Sequence, residues 1–227
     1  MKHMLVVTGG HLNIDFTKEY IKTLSYDKVF AVDKGLEYVD AMNMNPDYIV
    51  GDFDTVNTDL LARYKEKIAN EEICTCIERH PVMKDETDTE LALDIAIELG
   101  ADYITLLAAT GSRLDHVLAN MGLLIKLAKH KVKMYIVDET NRIQIMTGDN
   151  FQSCIISKKD QFGKYVSLIP ITPCVKGVTC KGALYPLNAE DIYCGASRTV
   201  SNEIEEEYLE ISVSDGMMLV IESRDKY

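Results

Sequence analysis

The chain has 227 residues and a formal net charge of −12, from 36 acidic and 24 basic side chains. This length suits one or two domains with a substantial core, and 47% hydrophobic and 26% charged residues are ordinary for a soluble protein. An acidic chain lacks the electrostatic footprint of a protein that binds nucleic acid or an anionic membrane, so we expect neither partner.

No targeting or membrane segment is expected, because MKHMLVVTGG turns glycine-rich after a few apolar residues and no apolar run approaches the ~20 residues of a membrane helix. The six cysteines include no CxxC pair. Together these features predict a cytoplasmic protein with reduced thiols.

In the first part of the chain, short apolar runs alternate with helical patterns. The runs are near-continuously apolar and β-branched, as strands buried on both faces should be. We predict strands at residues 4–8, 29–33, 47–51, 73–78, 103–109 and 132–138. Two helices are clear, at residues 89–99 and at residues 114–129, whose apolar side includes Leu114 and Leu118. The alternation predicts a parallel, Rossmann-like sheet with helices on both faces.

After about residue 140 the helical periods stop, and short strands follow one another between turn residues. We predict strands at residues 142–147, 154–157, 165–171, 182–187, 208–213 and 217–222. This pattern is typical of an antiparallel β-sandwich. The predicted fold class is therefore α/β, with a parallel-sheet domain over residues 1–139 followed by a β-sandwich domain over residues 140–227.

Acidic residues recur where four consecutive predicted strands end. They are Asp33, Asp52, Asp54, Asp85, Asp88 and Asp115. Ligands of open parallel sheets bind at the carboxyl ends of the strands, and oxygen ligands without His or Cys favour Mg²⁺. The repetition predicts a metal site at this edge of the sheet.

Asp52 and Asp54 are two residues apart, so in an extended chain their side chains would point the same way. Two ionised carboxylates about 4 Å apart repel by roughly 4 kcal/mol at an effective dielectric near 20. A divalent cation between them would make the pair tolerable, as would protonation of one carboxylate. The alternative is a turn in which each aspartate caps a backbone amide.

Residues 87–90 read Thr-Asp-Thr-Glu, a capping box with Thr87 as the N-cap of the next helix. Asp88 would lie in the first turn of that helix, where the helix dipole alone could account for its charge. A metal-binding role for Asp88 therefore depends on its proximity to the other carboxylates.

The last predicted helix of the first domain opens at Gly111-Ser112-Arg113. Free backbone amides and a guanidinium at this place suit a phosphate group. Arg113 could instead pair with Asp115 or with another of the carboxylates at the strand ends. His116 is equally consistent with a histidine of the helix surface or the core.

At these positions the chain resembles the thiamine pyrophosphokinase family. The resemblance rests on AVDKG at 31–35, PDYIVGDFDT at 46–55, KDETD at 84–88 and GSRLDH at 111–116, in the order and spacing of the family. KGALYPL at 181–187 and the run Ser201-Asn202-Glu203 resemble the second domain of the family more loosely. The resemblance implies an ATP:thiamine diphosphotransferase, which moves a diphosphate group from ATP to the thiamine hydroxyl, releases AMP and uses Mg²⁺.

The resemblance also implies roles for individual residues. The metal ligands would be Asp33, Asp52, Asp54 and Asp88. The ATP-binding residues would be Asp33, Lys34, Asp52, Lys84, Asp85, Thr87, Arg113, Asp115 and His116. The thiamine-binding residues would be Ser201, Asn202 and Asp115. The catalytic residues would be Asp54, Asp88, Arg113 and Lys84, with either Asp54 or Asp88 accepting the hydroxyl proton. Family members are homodimers with the active site between subunits, so we expect the first domain to bind ATP and Mg²⁺ and the second to bind thiamine and dimerise.

Three other functions share parts of this pattern. A pyrophosphokinase for another hydroxymethyl heterocycle, such as a pterin alcohol, would keep the metal site and differ in the second domain. A simple kinase would release ADP instead of AMP. A non-catalytic sensor of ATP or thiamine diphosphate would bind its ligand without releasing AMP.

Overall fold

The computed structural model of the protein describes residues 1–54, 56–79 and 86–226. The fold is mixed α/β: parallel strands alternate with helices in the first part of the chain, and the second part has antiparallel strands, four of which form a separate sheet. The chain divides into two units, one of Met1–Leu123 with Val137–Glu139, and one of Leu124–Ile136 with the chain from Thr140 onward.

The first unit contains five parallel strands. They are β1 (His3–Val7), β2 (Lys28–Val32), β3 (Tyr48–Gly51), β4 (Cys76–Arg79) and β5 (Tyr103–Leu107). Their order is β5-β1-β2-β3-β4, and Val6 of β1 lies opposite both Phe30 of β2 and Leu106 of β5. These side chains are fully buried, as the continuous apolar runs predict. β4 lies at the edge of this order and is largely exposed.

Five helices follow these strands. They are α1 (Ile14–Lys22), α2 (Gly35–Ala41), α3 (Thr58–Ala69), α4 (Asp88–Glu98) and α5 (Leu114–Lys129). Local capping residues define several of their starts: Asn13, Asn57 and Thr87 each accept a backbone N–H of the first turn through the side chain. α2 and α4 pack on the central strands of the first unit. No helix within the described ranges has both the length and the apolar character that a bilayer crossing requires.

The second unit is built mainly from strands. They are β6 (Lys133–Val137), β7 (Asn141–Thr147), β8 (Ser153–Ser157), β9 (Tyr165–Pro170), β10 (Cys174–Lys181), β11 (Leu187–Tyr193), β12 (Asn202–Glu203), β13 (Tyr208–Ser212) and β14 (Met217–Ser223). Antiparallel pairs join β12-β9-β14-β7 and, in the other sheet, β11-β10-β13-β8. One buried cluster takes Leu168 and Val220 from the first group and Val178 and Leu209 from the second. The two groups of strands therefore share a core.

The structure corrects two of the predicted strands. The prediction at residues 182–187 is wrong, because residues 182–186 lie between β10 and β11 and open with Gly182 at a φ of 78°, and β11 begins only at Leu187. The actual strand β10 was missed because Gly177, at a φ of 61°, and irregular pairing with β11 interrupt its alternation of apolar and polar residues. The strand predicted at residues 73–78 begins only at Cys76.

The bounds predicted for α5 are confirmed, but its apolar side is buried only in the second half of the helix. Leu114 and Leu118 are 71% and 70% exposed, whereas Leu124 and Leu127 are fully buried. Helical periodicity shows which residues share a side, but it does not show how far along the helix that side is covered.

Candidate active site

A cleft of about 690 Å³ opens at the carboxyl ends of the parallel strands of the first unit. Its walls come from the segments that follow β1, β2, β3 and β5, and from the first turns of α4 and α5. This is where open parallel sheets bind their ligands, and the volume falls in the usual range for small-molecule sites.

Three half-buried carboxylates converge in this cleft. Asp33, Asp52 and Asp88 each offer an oxygen atom, and the three oxygens lie within 4.8 Å of one another. They come from three separate chain segments, so only the fold brings them together. Three negative charges at this distance repel one another strongly, and a divalent cation would offset that repulsion. A donor set made only of carboxylate oxygens fits a hard cation such as Mg²⁺.

Asp33 is held by the end of β2 and by the neighbouring strand. Its φ is 47°, a left-handed value, and its N–H donates to the carbonyl of Val50 at 3.0 Å. The Cα of Gly51 lies directly against the carboxylate, so that a methyl group at this position would collide with Oδ1 of Asp33. Gly51 also has a φ of 152°, which L-residues rarely adopt. Glycine at position 51 therefore makes room for the Asp33 carboxylate.

The chain turns sharply between Asp52 and Asp54. Phe53 has a φ of 66°, and the N–H of Asp54 donates to Oδ1 of Asp52 at 3.0 Å. The prediction of an extended pair with parallel side chains is therefore wrong, and the turn alternative holds for Asp52. Asp52 nevertheless belongs to the cluster of three carboxylates, whereas Asp54 is exposed and lines the same cleft outside that cluster.

Asp88 occupies the first turn of α4. Oγ1 of Thr87 accepts the N–H of Glu90 at 3.2 Å, which confirms the predicted N-cap. The hydroxyls of Thr89 and Thr8, both buried, lie 2.6 Å apart and link this turn to the end of β1. Sequence patterns did not indicate this contact, since the two threonines are 81 positions apart.

Hydrogen-bonded backbone of the segments after β1 and β5 forms another part of the cleft lining. The N–H of Gly10 donates to the carbonyl of Ala108 at 2.8 Å, and Tyr38 donates its hydroxyl to the carbonyl of Gly10 at 2.8 Å. Asn120 of α5 donates to the carbonyl of Ala109 at 2.8 Å. Neither Tyr38 nor Asn120 was predicted as a site residue, because a polar residue within a helix carries no signal of its contact with a distant loop.

Arg113 and Asp115 form an exposed pair at the start of α5. Nε and Nη2 of the guanidinium reach the two carboxylate oxygens at 3.3 and 2.5 Å. The hydrogen bond from Arg113 lowers the pKa of Asp115 to about 2, so the pair stays ionised at neutral pH. Arg113 thus forms the ion pair with Asp115 that the sequence left open. Three of the predicted ATP-binding residues, Arg113, His116 and Lys34, also line the cleft. Lys84 and Asp85 lie outside the described residues.

Two protein-family models match this chain. The model described as "Thiamin pyrophosphokinase, catalytic domain" matches residues 19–136, and the model described as "Thiamin pyrophosphokinase, vitamin B1 binding domain" matches residues 153–218. The chain belongs to the thiamine pyrophosphokinase family. The catalytic-domain match contains all three clustered carboxylates, which agrees with the family resemblance of their motifs.

Relatives within the thiamine pyrophosphokinase family match along the whole chain. The thiamine pyrophosphokinase of Bacillus subtilis (strain 168) is 31% identical over 232 residues, which cover 99% of this chain and 100% of the relative. A crystal structure of the Bacillus subtilis protein has a TM-score of 0.85 at 29% identity and covers 99% of this chain and 100% of its own. The Geobacillus thermodenitrificans structure has a TM-score of 0.81 at 29% identity, with 99% and 98% covered.

Ser201 and Asn202 lie in the second unit, within the part that matches the vitamin-binding model of the thiamine pyrophosphokinase family. The side chain of Asn202 donates to the carbonyl of Tyr185 at 2.8 Å and accepts the N–H of Tyr185 at 3.0 Å. Ser201 is exposed and has a left-handed φ of 57°. Asn202 thus holds the exposed Tyr185 segment against β12.

Proposed function

We propose that this protein transfers the diphosphate group of ATP to the primary hydroxyl of thiamine and releases AMP. The observation that carries this proposal is the convergence of Asp33, Asp52 and Asp88 in one cleft, within the segment that matches the catalytic-domain model of the family. The match of the second unit to the vitamin-binding model supports thiamine as the acceptor.

Asp33, Asp52 and Asp88 would hold a Mg²⁺ ion. Their oxygen-only donor set and mutual proximity suit a hard divalent cation, and the half-buried position leaves one side open to a nucleotide. When bound, this ion would neutralise phosphate charge and orient the phosphate oxygens for displacement.

Asp54 is our candidate for the proton acceptor. It lines the cleft directly after Asp52 but lies outside the three-carboxylate cluster, so its carboxylate need not be shared with the metal ion. As the thiamine oxygen bonds to the β-phosphorus, the bond from that phosphorus to the α,β-bridging oxygen breaks. AMP leaves with the bridging oxygen, and the hydroxyl proton passes to Asp54.

Arg113 would contribute positive charge to the phosphates. Its guanidinium is 69% exposed and reaches the cleft, so phosphate oxygens can replace the Asp115 carboxylate at little desolvation cost. Lys34 lines the same cleft and would add a second cation. The backbone N–H groups of Gly111 and Ser112, which line the cleft just before α5, would donate to the phosphate oxygens.

We also propose that the active protein is a homodimer in which the thiamine-binding residues come from the partner subunit. Leu114 and Leu118 support this assembly, since they form an exposed apolar pair one turn apart beside the cleft residue Arg113.

Mixing an Asp52→Asn variant with an Asn202→Ala variant tests whether the two subunits share an active site. If one site needs both subunits, random reassociation restores about a quarter of the wild-type activity, because half of the dimers then hold one intact site. Activity that stays near zero after subunit exchange would contradict a shared site.

The activity itself is tested by incubating the protein with ATP, Mg²⁺ and thiamine and identifying both products by chromatography and mass spectrometry. We expect thiamine diphosphate and AMP in equal amounts. ADP as the nucleotide product, reaction with a pterin alcohol in preference to thiamine, or ligand binding without AMP release would each overturn the proposal in favour of a named alternative.

A matched pair of variants tests the role of Asp54. Asp54→Asn keeps the shape of the side chain and removes the base, so turnover should fall about 100-fold or more. Asp59→Asn makes the same chemical change at an exposed aspartate in the first turn of α3, outside the cleft, and should leave turnover unchanged. An Asp54→Asn variant that stays within about threefold of wild type would rule out Asp54 as the acceptor.

A further inference from the structure

The three clustered carboxylates differ in how they are held. Asp33 is fixed by the left-handed turn after β2 and by its contact with Gly51, and Asp52 is fixed by the hydrogen bond from the Asp54 amide. Both therefore depend on the backbone at the ends of adjacent paired strands. Asp88 instead belongs to a helix, and the Thr87 cap that precedes it fixes only the local turn of that helix.

Among the described residues, a polar contact between this turn and the end of β1 is made by Thr89, the residue after Asp88. Oγ1 of Thr89 lies 2.6 Å from Oγ1 of Thr8, and both residues are only 7% exposed. Thr8 is in turn anchored by its N–H, which donates to the carbonyl of Leu107 at 3.0 Å at the end of β5. A continuous chain of hydrogen bonds thus runs from β5 through β1 to the first turn of α4.

We propose that Thr8 and Thr89 form a positioning pair, which sets the distance of Asp88 from Asp33 and Asp52 and thereby the affinity of the metal site. This inference rests on the proposed role of the three carboxylates as Mg²⁺ ligands. Neither threonine acts as a catalytic residue here, because their effect on the metal passes through the placement of Asp88.

The geometry explains why a hydroxyl pair matters at this contact. Two hydroxyl oxygens joined by a hydrogen bond approach to 2.6 Å, whereas two methyl carbons approach only to about 3.5–4.0 Å. Replacing the hydroxyls by methyl groups therefore pushes the first turn of α4 away from β1 by about 1 Å. Mg²⁺ binds oxygen at about 2.0–2.1 Å in nearly ideal octahedral geometry, so a shift of this size in one ligand weakens binding.

The decisive measurement is Mn²⁺ binding to the full chain without nucleotide, followed through the electron paramagnetic resonance signal of free Mn²⁺. The single variant Thr89→Val and the double variant Thr8→Val/Thr89→Val should each raise the Mn²⁺ dissociation constant about tenfold or more. Loss of a contact that orients a metal ligand has an effect of this size in other metalloproteins. Thr89→Ser keeps the hydroxyl and should bind nearly as tightly as wild type. Because no phosphate is present, a direct contact of these hydroxyls with ATP would not change this readout.

Thr105→Val is the matched control. Thr105 lies in the same set of strands and is 1% exposed, and its Oγ1 is hydrogen-bonded to Nε2 of His3 at 2.9 Å. The valine variant therefore loses one buried hydroxyl contact, as Thr89→Val does. It should reduce thermal stability while leaving Mn²⁺ affinity unchanged. In steady-state assays, the Thr89→Val variant should need about tenfold more Mg²⁺ for half-maximal rate, whereas kcat at saturating Mg²⁺ should stay close to wild type.

The outcomes separate this inference from the proposed function. If wild type binds no Mn²⁺, or if Asp52→Asn binds it equally well, the metal site itself is wrong. If Asp52→Asn loses binding while the double valine variant keeps wild-type affinity, the positioning pair is wrong and the metal site stands. The double variant replaces both hydroxyls by methyl groups and so leaves no unpaired buried hydroxyl, which protects the test against simple unfolding.

Discussion

Asp52→Asn should stabilise the protein in the absence of metal while removing its response to metal. Asparagine has nearly the same shape as aspartate, and its Oδ1 can still accept the N–H of Asp54, so the local turn is retained. What the substitution removes is one of three negative charges whose oxygens lie within 4.8 Å of one another.

The size of the effect follows from Coulomb's law. At a separation of 4.8 Å, two unit charges repel by about 3.5 kcal/mol at an effective dielectric of 20 and by about 0.9 kcal/mol at the dielectric of water. Asp52 takes part in two such pairs, and the half-buried position favours the lower end of the range. We therefore expect the free energy of unfolding to rise by about 2 kcal/mol, which corresponds to about 4–8 °C in Tm for a chain of this size.

Thermal unfolding in EDTA and in Mn²⁺ provides the assay. In EDTA the variant should unfold at the higher temperature. Wild type should gain about 2.7 kcal/mol when Mn²⁺ reaches 100 times its dissociation constant, whereas the variant should gain much less, so that the order of the two Tm values reverses.

Two results would refute this reasoning. A variant that is less stable than wild type in EDTA would show that Asp52 makes a net favourable contact rather than suffering repulsion. Equal stabilisation of both proteins by Mn²⁺ would show that the ion binds elsewhere.

Three further predictions concern other contacts. Gly51→Ala should displace the Asp33 carboxylate, lower the free energy of unfolding in denaturant by about 2 kcal/mol or more, and abolish Mn²⁺ binding. An unchanged Mn²⁺ affinity would contradict the assigned role of Gly51. Glu222→Gln should cost about 3 kcal/mol, because Glu222 is 1% exposed and binds Arg142 through two contacts of 2.7 Å; a Tm within about 2 °C of wild type would contradict this. Desolvation raises the pKa of the partly buried Cys154 to about 12 and that of the buried Cys180 to about 11. At pH 8 a maleimide should therefore label the exposed Cys194 and spare both of these thiols. Peptide mass spectrometry that shows Cys154 or Cys180 labelled in the native protein would contradict this protection.

Much of the fold could be read from local patterns. Continuous apolar runs identified β1, β2, β3 and β5, because strands buried on both faces need apolar residues at every position. Thr87 marked the start of α4 because an N-cap acts within one helical turn. β10 was missed, since its glycine at position 177 and irregular pairing break the alternation on which strand prediction depends.

The acidic residues at the strand ends, and hence the expectation of a metal site, were also visible in the amino-acid sequence. Which of them converge was not visible in the sequence. The turn at Phe53 separates Asp54 from Asp52, and the helix that carries Asp88 contacts the end of β1 through two hydroxyls that are 81 residues apart in the chain. Local chemistry depends on neighbours within a few residues and can be read along the chain. The distances among Asp33, Asp52 and Asp88 depend on long-range packing, so they emerge only once the strands and helices are assembled.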